Sequence, residues 1–281
     1  MDPATRSAPD PSAATTLAAA ARESEPANAG ANSFGPLLRA LKLARATLLL
    51  LQGVLIAMFR LRRDDVRRRN RHMQRWCGRL LDILGLELEH EGPLPDDSTP
   101  VFIVANHVSW LDIWAINAVC PTLFVAKAEI RAWPVFGWLA ARVGTLFIER
   151  SRRADTRRVN DRIVARMAVS GERIAVFPEG TTTDGSVLLP FHASLFQPAV
   201  SAQARVHPVA IRYLDRNGER TDVPAYIDDL SLVASMWRIA GMSGLRVRVE
   251  FLSAFDVTGQ HRREVAAQAQ ERIGRVLVPD R

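Results

Sequence analysis

The chain has 281 residues, 48% of them hydrophobic, which is enough apolar material for a sizeable core and excludes a wholly disordered protein. Its net charge of +7, with arginine supplying every cation except Lys42 and Lys127, favours anionic partners: lipid surfaces, phosphate-bearing substrates or nucleic acid. The two cysteines, Cys77 and Cys120, lie far apart in apolar surroundings, offer neither a disulfide framework nor metal-ligand spacing, and make a reducing compartment the default.

Residues 1–33 are rich in Ala, Pro, Ser and Asn and poor in large apolar side chains, so a disordered N-terminal tail is expected. They lack the basic start and apolar core of a signal peptide. From Ala46 to Phe59 the chain carries no charge. As a helix this run covers roughly 21 Å, short of a hydrocarbon core of ~30 Å. Arg39, Lys42 and Arg45 precede it, and Arg60, Arg62, Arg63, Arg67, Arg68, Arg69, Arg71 and Arg75 follow. Charge on both sides of so short a run favours a helix lying in one leaflet. A buried core helix, or a span that draws in Leu37 and Leu38, are the alternatives. The arginine block fits anionic lipid, and it fits equally a solvated helix face, because Asp64 and Asp65 interrupt it. A second helix is expected from Asp64 to Gly85, with Trp76, Leu80, Leu81 and Leu84 as its apolar stripe. Residues 34–90 thus read as a membrane-associating helical hairpin.

Glu87–Pro100 is polar and turn-rich and reads as the join to a domain over 91–281. Short β-type runs follow at Val101–Ala105, Leu123–Ala126, Thr145–Ile148, Ile174–Phe177, Val206–Ile211 and Val247–Phe251. Helical patterns intervene at Leu111–Val119 and Asp155–Ser170, and another closes the chain over 261–277. The expected fold class is α/β: a mixed, largely parallel sheet flanked by helices, with the amphipathic helical appendage at its N-terminus.

Three stretches carry chemistry. The first is Ala105-Asn106-His107-Val108-Ser109-Trp110-Leu111-Asp112, where an apolar strand runs into a helix. On one helix His107 and Asp112 would diverge by about 140°. They meet only if His107 lies in the turn and Asp112 in the first helical turn, with Ser109 as the N-cap of a capping-box arrangement. The carboxylate then orients one imidazole nitrogen and leaves the other free to accept a proton. Helix capping beside a satisfied turn histidine fits the same residues equally well. The second stretch is Gly144–Arg150, a strand ending in a cation suited to a bidentate phosphate contact, or simply a surface arginine. The third is Phe177-Pro178-Glu179-Gly180-Thr181-Thr182-Thr183, a post-strand loop able to bind an anion or to present donors to an oxyanion, or a plain tight turn. Glu179 is its odd member. A carboxylate repels phosphate, so it suits a hydroxyl, a basic group or the holding of the loop.

Together these stretches resemble the glycerophospholipid acyltransferase family, which includes the 1-acylglycerol-3-phosphate acyltransferases. The Asn-His-four residues-Asp motif matches Asn106, His107 and Asp112. Gly-x-x-Phe-Ile-x-Arg matches Gly144, Phe147, Ile148 and Arg150. Phe-Pro-Glu-Gly-Thr matches Phe177 to Thr181, and a proline-bearing strand matches Val206–Ala210. The resemblance covers roughly residues 95–215. It implies transfer of an acyl group from acyl-CoA or acyl carrier protein to a lysolipid hydroxyl, with His107 as base and Asp112 as its orienter. It implies no nucleophilic Ser or Cys, no metal and no other cofactor. Lys127, Gly144, Arg150, Phe177, Pro178, Glu179, Gly180 and Thr181 become the expected substrate-binding set. The expected acceptor is 1-acylglycerol-3-phosphate, and the expected location is the cytoplasmic face of the inner membrane, monotopic or peripheral.

Two departures bear on the acceptor. The family's third motif often continues Arg-Ser, where this chain has Thr182-Thr183, and Pro190-Phe191-His192-Ala193-Ser194 departs from Pro-Phe-Lys-x-Gly. With a cation lost, lyso-ornithine lipid becomes the alternative acceptor. A non-catalytic lipid-surface protein is disfavoured because His107 and Asp112 are both present. A nucleic-acid binder is disfavoured because the arginine block adjoins an apolar helix and lacks interleaved aromatics.

Overall fold

The computed structural model describes residues 33–59, 65–96, 100–132, 136–148 and 153–277. Residues 1–32 of the expected tail, and Arg150, lie outside them. From Phe34 onward the chain forms one compact unit.

Helix α1 (Pro36–Phe59) opens with a proline at its first position, where no N–H is needed. It is longer than its uncharged run, taking in Arg39, Lys42 and Arg45, of which the first two are used within the fold. Lys42 Nζ donates to Leu84 O at 2.8 Å, and Arg39 Nε donates to Phe34 O at 2.8 Å. With Leu37 and Leu38 drawn in, the whole helix is long and apolar enough to cross a membrane by length and composition alone. Yet Ala46 and Leu49 are buried in the protein core, while Leu48, Leu51, Leu55 and Met58 are exposed.

Helix α2 (Val66–Leu84) starts where Asp65 accepts from Arg68 N at 2.8 Å. It stops at Gly85, whose φ of 85° closes the last turn onto Leu81 O and Asp82 O. Met73, Cys77, Leu80, Leu81 and Leu84 bury its inner face, and Arg69 pairs with buried Glu172 at 2.9 Å.

The remaining elements are β1 (Leu86–Glu91), β2 (Val101–Ala105), α3 (Leu111–Val119), β3 (Leu123–Lys127), α4 (Phe136–Val143), β4 (Leu146–Ile148), α5 (Arg153–Met167), β5 (Arg173–Val176), α6 (Gln197–Ser201), β6 (Arg205–Leu214), α7 (Leu232–Gly241), β7 (Leu245–Phe251) and α8 (Arg262–Leu277). The sheet order is β1-β7-β6-β2-β5-β3-β4, parallel throughout except for the antiparallel β6–β7 pair. Strand β1 was not expected within the polar join. Its LELEHE alternation buries Leu86 on one side and leaves glutamates at the rim, where Glu89 takes Arg246 and Arg248 from the neighbouring strand.

Alternation along the strands feeds two cores. Ile103, Ala105, Ala175, Val209 and Ile211 face α1, α2, α3 and α7. Phe102, Val104, Ile174, Val176 and Ala210 face α5, α6 and α8. Because β2 to β6 run parallel, their carboxyl ends converge on one edge, where open α/β sheets bind ligands.

Candidate active site

Strand β2 is buried on both faces and ends at Asn106, which is locked in place. Its side chain accepts from Ile211 N at 2.8 Å and donates to Ile211 O at 3.0 Å. The next residue, His107, enters the turn, and Asp112 sits in the first turn of α3. Asp112 Oδ2 takes His107 Nδ1 at 2.8 Å, Val108 N at 2.7 Å and Ser109 N at 2.9 Å. Asp112 Oδ1 takes the Tyr213 hydroxyl at 2.7 Å. The carboxylate is thus fully buried and has a donor on each oxygen, which offsets its desolvation. Only half of a capping box forms. Asp112 reaches back to Ser109 N, but Ser109 Oγ turns to Leu111 N at 3.3 Å instead of reaching Asp112 N.

With Nδ1 committed to Asp112, His107 Nε2 makes no hydrogen bond among the described residues, and the ring lines a cavity of about 260 Å³. Phe177 stacks on the imidazole, centroids 4.0 Å apart and planes 8° from parallel, and Phe124 stacks on Phe177 in turn at 5.3 Å. These contacts fix the ring plane.

The third stretch wraps the same turn. Glu179 Oε1 accepts His107 N at 2.7 Å and its Oε2 accepts Leu189 N at 2.9 Å, while Thr183 N donates to His107 O at 2.9 Å. Burial pushes the Glu179 carboxyl up from its ordinary value, and the two amide bonds pull against that shift. Thr182 Oγ1 donates to Tyr226 O. Glu179 is therefore held by backbone amides and is 4% exposed, with no surface given to the cavity.

The other expected residues separate. Lys127, at the carboxyl end of β3, lines the cavity, as do Phe177, Gly180 and Thr181. Pro178 is buried behind the loop, its carbonyl taking His192 N at 2.9 Å. Gly144 does not line the cavity. It lies just before β4, where a φ of 106° and Leu123 only 3.2 Å from a notional Cβ require glycine. Arg150 lies outside the described residues. Tyr213 was missed altogether. The signal for it was its phase: it follows Val209 and Ile211 on the same face of β6, toward α3.

An orienting carboxylate, an imidazole whose second nitrogen has no partner among the described residues and an adjoining apolar cavity with a cation have the geometry that a base–orienter pair needs to deprotonate a hydroxyl. The sequence profile of the family described as Acyltransferase matches residues 86–212, which spans β1 through most of β6. The chain is 41% identical over 201 residues to the 1-acyl-sn-glycerol-3-phosphate acyltransferase of Neisseria meningitidis, covering 72% of this chain and 78% of that one. The chain belongs to the glycerophospholipid acyltransferase family. It is also 38% identical over 205 residues to the lyso-ornithine lipid O-acyltransferase of Pseudomonas aeruginosa, covering 73% and 78% of the two chains. The fold is shared with the 1-acyl-sn-glycerophosphate acyltransferase PlsC of Thermotoga maritima: TM-score 0.59, 22% identity, 84% of this chain and 96% of that one. Within this family's motif arrangement, the first and third motifs here build one turn, cross-braced by Glu179 and Thr183.

Proposed function

We propose that the chain moves a fatty acyl group from a thioester donor, acyl-CoA or acyl carrier protein, to the hydroxyl of 1-acylglycerol-3-phosphate, giving phosphatidic acid. The observation that carries this reading is the His107–Asp112 pair, whose histidine shares a cavity with Lys127 and keeps Nε2 without a partner among the described residues. In the proposed mechanism Nε2 takes the acceptor's hydroxyl proton as the oxygen attacks the thioester carbonyl. Asp112 stabilises the imidazolium that forms. Gly180 N–H is committed to Phe177 O at 3.2 Å, so the tetrahedral oxyanion is assigned to the Thr181 side of the loop. Collapse breaks the carbon–sulfur bond, and the imidazolium returns the proton to the departing thiolate. Lys127 and Arg150 bind the acceptor's phosphate.

A second acceptor is favoured by one observation. Thr182 and Thr183, where relatives often carry Arg-Ser, are tied to Tyr226 and His107, so this part of the loop offers no cation. A headgroup with less anionic charge, as in lyso-ornithine lipid, suits such a loop. Assaying the purified protein with labelled acyl donor against 1-acylglycerol-3-phosphate, lyso-ornithine lipid and lysophosphatidylcholine tests both. Labelled phosphatidic acid is the expected product. Label only in ornithine lipid would replace the phosphate acceptor, and label in none would remove the reading.

Residues 34–90 serve as the membrane-associating part and 91–281 as the catalytic part, divided by task within one folded unit. The exposed Leu48, Leu51, Leu55 and Met58 of α1 support a helix lying in the cytoplasmic leaflet. Its opposite side is committed to α2 and the core, which disfavours an independent span.

A further inference from the structure

A second cavity, also about 260 Å³, opens between α1, α2 and α4 and shares no lining residue with the one at His107. Its wall is apolar: Gly53 and Ile56 of α1, Met73 and Trp76 of α2, and Leu139 and Val143 of α4. The wall is also rigid on one side. Trp76 Nε1 donates to Leu49 O at 3.0 Å, and its ring lies so close to Gly53 that a Cβ there would sit 2.5 Å from it.

His72, Arg75 and Arg79 line the same cavity. Positions 72, 75, 76 and 79 follow helical spacing, so they form one stripe of α2. The buried positions 69, 73, 77 and 80 form the adjoining stripe, from which Arg69 and Met73 also reach the cavity. Arg69 is already neutralised by Glu172. Arg75 and Arg79 have no acidic partner among the described residues. Two guanidinium groups without an acidic partner among the described residues, set at an apolar slot, match a ligand carrying both an anion and a hydrocarbon portion. Inorganic phosphate would satisfy only the arginines. The exposed leucines of α1 give such a ligand a lipid surface to come from.

We propose that this cavity binds the headgroup end of an anionic phospholipid, at a site separate from the catalytic one. The phosphate is held by Arg75 and Arg79, and the glycerol and first acyl carbons lie against Ile56, Trp76 and Val143. This is a discrete site of one lipid per chain, as distinct from the diffuse attraction of a basic helix to a charged surface. It does not depend on which lysolipid is acylated.

The test uses the full chain in an uncharged detergent, titrated calorimetrically with dihexanoylphosphatidylglycerol below its micelle concentration. Dihexanoylphosphatidylcholine and inorganic phosphate serve as comparison ligands. One saturable site for the glycerol lipid is expected, with clearly weaker binding of the choline lipid and of phosphate. Arg75→Gln/Arg79→Gln should weaken it by about tenfold or more, as the loss of a charge-assisted hydrogen bond implies. Val143→Trp should do the same by filling the slot without changing charge. Ile56→Phe is the second filling variant if the first fails to melt like the parent. Lys127→Ala should leave this binding unchanged. Undiminished binding in the filled variants, equal affinity for the choline lipid, full replacement by inorganic phosphate, or loss in Lys127→Ala would each overturn the proposal.

Discussion

The Tyr213 hydroxyl lies 2.7 Å from Asp112 Oδ1, across the carboxylate from the Oδ2 that takes His107 Nδ1 at 2.8 Å. A strand residue 101 positions downstream thus completes the hydrogen-bonded support of the proposed catalytic pair. Burial, and then the Asp112 charge, push the Tyr213 phenol well above its ordinary value, so it stays a donor. Tyr213→Phe leaves Oδ1 without this donor. It should cost about 1–3 kcal/mol of stability and lower kcat about tenfold, the effect of ~1.4 kcal/mol on the barrier. Both KM values should hold, since Tyr213 does not line the cavity. For comparison, His107→Ala should lose on the order of 10²–10⁴ in rate, the usual worth of a general base. Steady-state kinetics and melting curves decide it: an unchanged kcat would reduce Tyr213 to packing.

Glu179 braces the turn that carries His107. In Glu179→Gln the side-chain NH₂ must face either His107 N–H or Leu189 N–H, donor against donor. The expected result is a loss of about 1–3 kcal/mol in stability, with kcat reduced and the acceptor KM little changed. A rise confined to the acceptor KM would instead make Glu179 a substrate contact.

Lys127 at the cavity, with Arg150 as its proposed partner, should bind the acceptor's anion. Arg150→Ala should raise the acceptor KM by roughly tenfold to a hundredfold, the cost of one charge-assisted hydrogen bond. Lys127→Ala should do less, because an exposed ammonium is screened by solvent. The donor KM should stay constant for both. A change confined to the donor would move these cations to the CoA or carrier-protein surface.

Deleting residues 34–75 to release the protein from membranes would also strip Ala46, Leu49 and Met73 from the core. Leu51→Glu/Leu55→Glu is the cleaner variant, since both leucines are more than half exposed, at 54% and 56%. It should leave the melting temperature within a few degrees of the parent and shift the protein from the membrane to the soluble fraction. Full sedimentation with membranes would locate lipid binding elsewhere, the exposed Val233 and Trp237 of α7 being the next surface to test.

His207, buried on β6, has its pKa lowered from 6.5 to about 4, first by burial and then by the Arg205 charge, with Arg173 adding and Asp96 opposing. Between those values the unfolded chain binds a proton that the folded chain refuses. The contribution is therefore fully present above pH 6.5 and is lost as pH falls toward 4, by at most about 3 kcal/mol. His207→Gln should flatten the pH dependence of the melting temperature in that window. A wild-type melting temperature constant from pH 6.5 to 4 would contradict the assignment.

The sequence by itself determined the parts of this protein whose information is local. Strands β2 and β5 are short apolar runs, β7 alternates buried and half-buried residues, β6 runs on past its expected end at Ile211 to Leu214, and α2 ends at a glycine that its last turn requires. The His107–Asp112 pair was legible because five residues across a strand–helix turn leave one way to meet. Only the tertiary structure decided what depends on neighbours distant in the chain. The LELEHE segment is polar enough to read as a linker, and it becomes β1 because β7 supplies both the pairing and the arginines for Glu89. Glu179 could have faced substrate or backbone, and the His107 and Leu189 amides resolved it. Tyr213 carries no motif, since a tyrosine on an apolar strand looks like core until the strand order brings it beside Asp112. Spacing along the chain predicts contacts within a turn or two. A buried carboxylate collects its donors from every element that reaches it, and that set is fixed only when the sheet closes around it.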